Sequence, residues 1–267
     1  MRSDLLTADG LTKRYGRFTA IEDVSFTLRA GEVLGLVGES GSGKSTTVRC
    51  LVGLTKPDAG TVSYDGEPLQ GRAAWHRFRR EAQMVFQDPY ASLNPRMTVA
   101  EIVGEGLRVH GIERTAAGRR ARVTTLLGQV GLDAGDLDRY PRSFSGGQRQ
   151  RIAIARAIAV EPRVLICDEP VSALDVSVQA QVVNVLRDMG RELGLSILFI
   201  AHDLAVVRYL CDRLVVLDQG RIAEQGTREQ IYDNPQAPYT RSLLAAVPIP
   251  DPAAERERRH RQKESAR

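Results

Sequence analysis

No run in the chain approaches the roughly 18 consecutive apolar residues that a membrane-spanning helix needs. The opening Met1-Arg2-Ser3-Asp4 leads into no signal-peptide-like apolar stretch, so the chain is expected to stay in the cytosol. Cysteine is scarce. Cys50, Cys167 and Cys211 lie far apart with no metal-ligand spacing, each in or beside an apolar run. They read as small buried hydrophobes rather than ligands or disulfide partners. A strong charge of one sign is also missing. The net charge is +4, and half of it sits in Asp251–Arg267, where six Lys/Arg face four acids. The remainder is nearly neutral, which gives little support for nucleic-acid binding. No internal repeat is visible.

What remains is the composition of an ordinary soluble globule, with 42% hydrophobic and 26% charged residues among 267. That length suits one large α/β domain or two small ones. The informative stretch is Gly38-Glu39-Ser40-Gly41-Ser42-Gly43-Lys44-Ser45-Thr46, between the apolar run Val33–Val37 and the helical pattern from Thr47. The spacing Gly-x-x-x-x-Gly-Lys-Ser between strand and helix is a P-loop. Its glycines let backbone N–H groups turn onto phosphate oxygens, and the helix adds its positive end. Lys44 is expected to reach the β- and γ-phosphates and the Ser45 hydroxyl to sit on Mg²⁺.

Strands and helices alternate around this loop. Leu5–Leu28 is strand-rich, and Val24–Leu28 has the alternation of a half-buried strand. Thr61–Tyr64 reads as a strand before the tight turn Asp65-Gly66, and Ala82–Gln87 as a strand ending in Gln87. Two prolines break the pattern over Asp88–Pro95. From Val99 to about Ala159 the periodicity is helical, a helical insertion in an α/β fold. Arg163–Glu169 and Ser196–Ala201 are buried strands, Val176–Leu193 is an amphipathic helix, and Asp218-Gln219-Gly220 is a hairpin signal. The order implies a largely parallel central sheet with ligand sites at strand C-termini. From Pro248 onward prolines and then charges suggest a disordered tail.

Asp168 ends an apolar strand and can hold Mg²⁺, directly or through water, at the end of the neighbouring strand opposite Ser45. Glu169 can accept a proton from, or orient, the attacking water. His202 also follows a buried strand and can donate to the γ-phosphate. Gln87 can sense Mg²⁺ or the water through its amide, though alone it is simply a polar strand end. Tyr15 alone reads as a surface or packing residue that could also stack on adenine. Ser145-Gly146-Gly147-Gln148 opens a helix: either a second backbone anion site, serving nucleotide held by another subunit, or a helix entry with a serine cap.

In fixed order, these segments resemble the ATP-binding cassette (ABC) ATPases over about residues 5–245. The resemblance rests on Tyr15, the loop Gly38–Thr46, Gln87, Ser145–Gln148, Asp168, Glu169, Ser172-Ala173-Leu174-Asp175 and His202. It implies an α/β fold with a P-loop NTPase core and mainly parallel sheet. It also implies an antiparallel N-terminal β subdomain and a helical subdomain over about 90–160, which leaves 246–267 as a charged tail. Tyr15 and the loop would bind ATP, with Ser45, Gln87 and Asp168 on Mg²⁺ and Glu169, His202, Lys44 and Gln87 in catalysis. Ser145, Gly146, Gly147, Gln148 and Asp175 would act in trans, across a head-to-tail dimer. Phe144 stands where leucine is usual, a change that keeps the polarity.

Met84–Pro95 and Asn234–Leu244 narrow the resemblance to oligopeptide, dipeptide and nickel importer ATPases. The implied partners are a second cassette (a paralogue or a second copy of this chain), two membrane permease subunits and, indirectly, a substrate-binding protein. No nucleic acid is implied, and the place is the cytoplasmic face of the cell membrane. Some members carry a cysteine-rich C-terminal region holding an iron–sulfur cluster; with no cysteine after Cys211, none is expected here. The expected activity is ATP hydrolysis driving peptide import. Nickel or another small solute is the alternative cargo. A cassette ATPase acting on nucleic acid or the ribosome is a more distant reading, because only one P-loop is present and no long coiled coil.

Overall fold

The computed structural model describes residues 3–246; the C-terminal tail expected from Pro248 onward lies outside them. Two long antiparallel strands open the chain, β1 (Asp4–Tyr15) and β2 (Phe18–Arg29). β3 (Val33–Val37) runs into the phosphate loop and α1 (Lys44–Leu51). β4 (Ala59–Tyr64), β5 (Glu67–Pro68), α2 (Gly71–Glu81) and β6 (Ala82–Val85) follow.

Next come α3 (Pro89–Ser92), α4 (Val99–Val109), α5 (Ala116–Gln129) and α6 (Gly146–Ile158), with two 3-10 turns and no strand among them. A capping box starts α4: the Glu101 N–H donates to Thr98 Oγ1 at 3.3 Å, and the Thr98 N–H to Glu101 Oε2 at 2.7 Å. β7 (Val164–Asp168), α7 (Val176–Glu192), β8 (Ser196–Ala201) and α8 (Leu204–Leu210) return to alternation. The chain then forms the hairpin of β9 (Arg213–Asp218) and β10 (Arg221–Thr227), followed by α9 (Arg228–Asp233) and α10 (Pro238–Ala245). The hairpin turns on Gln219 and Gly220, both at positive φ (46° and 82°), as a two-residue loop between twisted strands requires.

The described residues form two sheets. The antiparallel one has the order β2-β1-β4-β5, and the central one β10-β9-β3-β8-β7-β6. In the central sheet only β9–β10 is antiparallel, so β3, β6, β7 and β8 all end at the same edge. One expectation is corrected here. β7 is not the neighbour of β3, because β8 lies between them and pairs with both. Asp168 therefore sits two strands from the phosphate loop, with His202 at the end of the strand between. A second difference is that β6 stops at Val85, so Gln87 lies two residues beyond the strand. β6 is an edge strand, and the Asp88 carboxylate already accepts from Tyr90 N–H at 2.7 Å, capping α3 and drawing the chain out of the ladder.

Alternation along the strands splits the core in two. Leu198 and Ile200 face the layer holding the antiparallel sheet, α1 and α2. Ile197, Phe199 and Ala201 face the layer of α4 to α8. Phe199 is fully buried on this central strand. Phe199→Ala is expected to cost about 3–5 kcal/mol, read as a lowered midpoint in urea unfolding. Among the described residues, no helix is long and apolar enough to cross a membrane.

Candidate functional site: a phosphate loop at the sheet edge

The phosphate loop is shaped by close packing. A Cβ on Gly38 would lie 2.3 Å from the Leu217 carbonyl oxygen and 2.6 Å from Ser42 Oγ, so only glycine fits. Gly43 caps α1 without a side chain, and the first turn carries no acid. The helix N–H groups and the positive end of α1 are thus open to an anion, with exposed Ser45 on that turn. Lys44 is 4% exposed. Its ammonium donates to the carbonyls of Gly38 at 2.7 Å and Glu39 at 2.8 Å, which uses two of its three hydrogens. Burial pulls its pKa below the usual lysine value, and the Glu169 and Asp168 carboxylates partly counter this.

Across the edge, Asp168 closes β7. Burial raises its pKa, as does the neighbouring Glu169 charge; Arg49 and Lys44 act the other way. Glu169 has φ 46°, a left-handed backbone that costs a non-glycine residue about 1–2 kcal/mol. The surroundings hold it there: its N–H donates to the Ile200 carbonyl at 3.0 Å, and its own carbonyl accepts from Ser172 Oγ at 3.1 Å. Its Oε2 accepts from Gln87 Nε2 at 3.1 Å and lies 3.5 Å from His202 Nδ1. Three of the residues picked from sequence therefore meet at one carboxylate oxygen. Gly38, Glu39, Ser40, Glu169 and His202 line one cavity of about 640 Å³.

The remaining candidates lie elsewhere. Tyr15, 48% exposed, ends β1 with Lys13 Nζ 5.6 Å from its ring centre. Ser145 caps α6: its Oγ accepts from Gln148 N–H at 3.3 Å, and Gln148 Oε1 accepts from Ser145 N–H at 3.0 Å. Asp175 caps α7, accepting from Val178 N–H at 3.0 Å and Ser177 Oγ at 2.7 Å. These bonds hold its carboxyl below the usual range. The two helix starts pack together, since a Cβ on Gly147 would lie 2.2 Å from Val178 Cγ1. None of Ser145–Gln148 or Asp175 lines the cavity.

Sequence reasoning missed several contacts. Arg149 lies over the Tyr90 ring at 3.7 Å, and Arg156 donates to the Ser92 carbonyl at 2.6 Å. Together they tie α6 to the segment after Gln87. Their spacing of seven, two helical turns on one face, was the available signal. Arg49 beside Asp168 and Tyr239 beside the phosphate loop had no local signal.

A glycine loop between β3 and α1, with an acidic strand end on the same parallel edge, defines a P-loop NTPase fold. Residues 21–172 match the family model described as ABC transporter, and residues 223–267 match the oligopeptide/dipeptide transporter C-terminal region. The oligopeptide transport ATP-binding protein OppF of Bacillus subtilis is 53% identical, covering 91% of this chain and 81% of that one. OppF of Streptococcus mutans is 54% identical, with 91% and 79% covered. Among solved structures, cbiO1 from Clostridium perfringens, part of the ABC transporter complex cbiONQ, superimposes with a TM-score of 0.79 at 29% identity, covering 87% and 92%. A dimeric ATP-binding cassette in a post-hydrolysis state with ADP and Pi gives 0.75 at 29% identity, covering 84% and 99%. The chain belongs to the ABC transporter family of ATP-binding proteins, in the branch that carries the oligopeptide/dipeptide C-terminal region.

Proposed function

We propose that this chain is the ATP-hydrolysing subunit of an ABC importer for oligopeptides, working from the cytoplasmic face of the membrane. The observation that carries the reading is the meeting of Gln87, Glu169 and His202 at one oxygen beside the phosphate loop. The peptide cargo follows the names of the relatives, which match over most of both chains.

The phosphate loop binds the triphosphate through its backbone N–H groups, and Lys44 turns its ammonium to the β- and γ-oxygens. Tyr15 offers its exposed ring to the adenine. Glu169, fixed by its backbone bonds to Ile200 of β8 and to Ser172, takes a proton from water aligned for in-line attack. His202 and Lys44 meet the charge that develops on the transferred phosphoryl. The donor set of one hydroxyl, one amide and one carboxylate (Ser45, Gln87 and Asp168) is the all-oxygen chemistry that suits Mg²⁺. When bound there, the ion would neutralise phosphate charge. Ser145, Gly146, Gly147 and Gln148 open α6, where they would serve a second cassette's nucleotide. Asp175 packs beside them.

Partner binding has its own surface. Leu54, Phe86 and Val109 are 67%, 41% and 68% exposed on a groove that Met84 also lines and that Arg79, Glu105 and Arg156 edge with charge. Exposed apolar side chains with charges at their edge, next to Gln87, suit a short amphipathic helix from a permease subunit. The test is co-expression with two permease subunits and a second cassette, then ATPase assay in proteoliposomes with binding protein and peptide. Peptide-stimulated hydrolysis is expected. An ATPase that co-purifies with no membrane protein and responds to nucleic acid instead would overturn the reading.

A further inference from the structure

The stretch Asn234–Leu244 has no part in the phosphate chemistry above, yet it reaches the phosphate loop. The Glu224 carboxylate on β10 accepts from the N–H groups of Gln236 at 2.8 Å and Ala237 at 3.0 Å, fixing the entry to α10. Tyr239, the second residue of α10, packs its ring against the larger core. Its hydroxyl accepts from the Glu39 N–H at 3.1 Å. One peptide group is therefore held at both ends: the carbonyl of the Gly38–Glu39 peptide accepts from Lys44 Nζ, and its N–H donates to Tyr239. Rotating that peptide plane would break both bonds. This segment and the residues flanking it also touch the facing wall of the cavity. Tyr232 on α9 donates to the carbonyl of Leu204, two residues after His202, and Leu243 and Ala246 line the cavity itself.

We propose that Tyr239 is a positioning residue for the phosphate loop, holding through Glu39 N–H the peptide whose carbonyl carries the Lys44 ammonium. Gly38 is packed against Leu217 and Ser42, whereas Glu39 and Ser40 are exposed, so on the Glu39 side the plane is fixed by the bond to Tyr239 rather than by packing. A loop ordered in advance loses less entropy when phosphate binds. The inference rests on the ATP reading and deepens it, giving the C-terminal segment a task within the nucleotide site.

The test is Tyr239→Phe in the full chain, which keeps the ring and removes only the hydroxyl. Affinity is measured by titration with fluorescent N-methylanthraniloyl ATP, alongside steady-state ATPase and thermal melting. Losing one hydrogen bond's worth of ordering should weaken affinity, and raise KM for ATP, by about three- to tenfold. Turnover at saturating ATP and the melting temperature without nucleotide should stay at wild-type values, the mark of lost uniform binding. Lys44→Met is run in parallel. If it loses affinity while Tyr239→Phe binds like wild type, the positioning role is overturned and the ATP site stands. A fall in melting temperature with unchanged affinity would make the hydroxyl merely structural and also sink the proposal. A wild-type chain that binds no nucleotide would overturn both.

Discussion

Glu169→Gln is expected to bind ATP as tightly as wild type and to hydrolyse it about 10²- to 10⁴-fold more slowly, the range lost with a positioned general base. The substitution is nearly isosteric. Glutamine's amide oxygen can still accept from Gln87 Nε2, which now lies 3.1 Å from Glu169 Oε2, and the backbone bond to Ile200 is untouched. What disappears is the carboxylate's ability to take a proton from water. Nucleotide binding should persist because Lys44, the loop N–H groups and the start of α1 are unchanged. Phosphate release and fluorescent-nucleotide titration separate the two effects. Turnover within about threefold of wild type would remove Glu169 as the base, since so small a change is under 1 kcal/mol of barrier.

Lys44→Met should do the opposite, removing affinity first. The ammonium supplies charge-assisted bonds to phosphate, each worth about 1.5–3 kcal/mol. Affinity is therefore expected to fall by about 10- to 100-fold, with hydrolysis lost at ordinary ATP concentrations. The fold should not suffer in proportion. Burial lowers the Lys44 pKa, so the charged form opposes folding. Methionine keeps the apolar stem and removes this penalty, offsetting the two lost bonds to the Gly38 and Glu39 carbonyls. Melting without nucleotide should shift by only a few degrees, the scale of about 1 kcal/mol in a chain of this size. An unchanged affinity would show that Lys44 does not meet the phosphates.

Much of this site was legible because its chemistry is local. The loop Gly38–Thr46 carries its spacing within nine residues, and Asp168, Glu169 and His202 each follow an unbroken apolar strand. The β9–β10 turn was legible from Gln219-Gly220 for the same reason. What the sequence hid was non-local. That β8 would lie between β3 and β7 is a choice of strand order, and no spacing in the chain records it. The early end of β6 came from competition between a ladder and the Asp88 cap. The bond from Glu39 to Tyr239 joins one backbone group to one hydroxyl across the length of the chain, so no periodicity points to it.

The strand order also sets a timetable for synthesis. β3 pairs with β8 and β9 alone, and Val33 meets Ile197. Translated at about 5–20 residues per second, the strand that launches the phosphate loop spends on the order of ten seconds with both edges unpaired. During that interval β1 and β2 can already form their own ladder, whereas β3 remains an apolar segment open to pairing with any strand it meets. Nascent chains that stop before β8 are therefore expected to aggregate more readily than the full chain. The nucleotide site is therefore assembled late, from a loop made early.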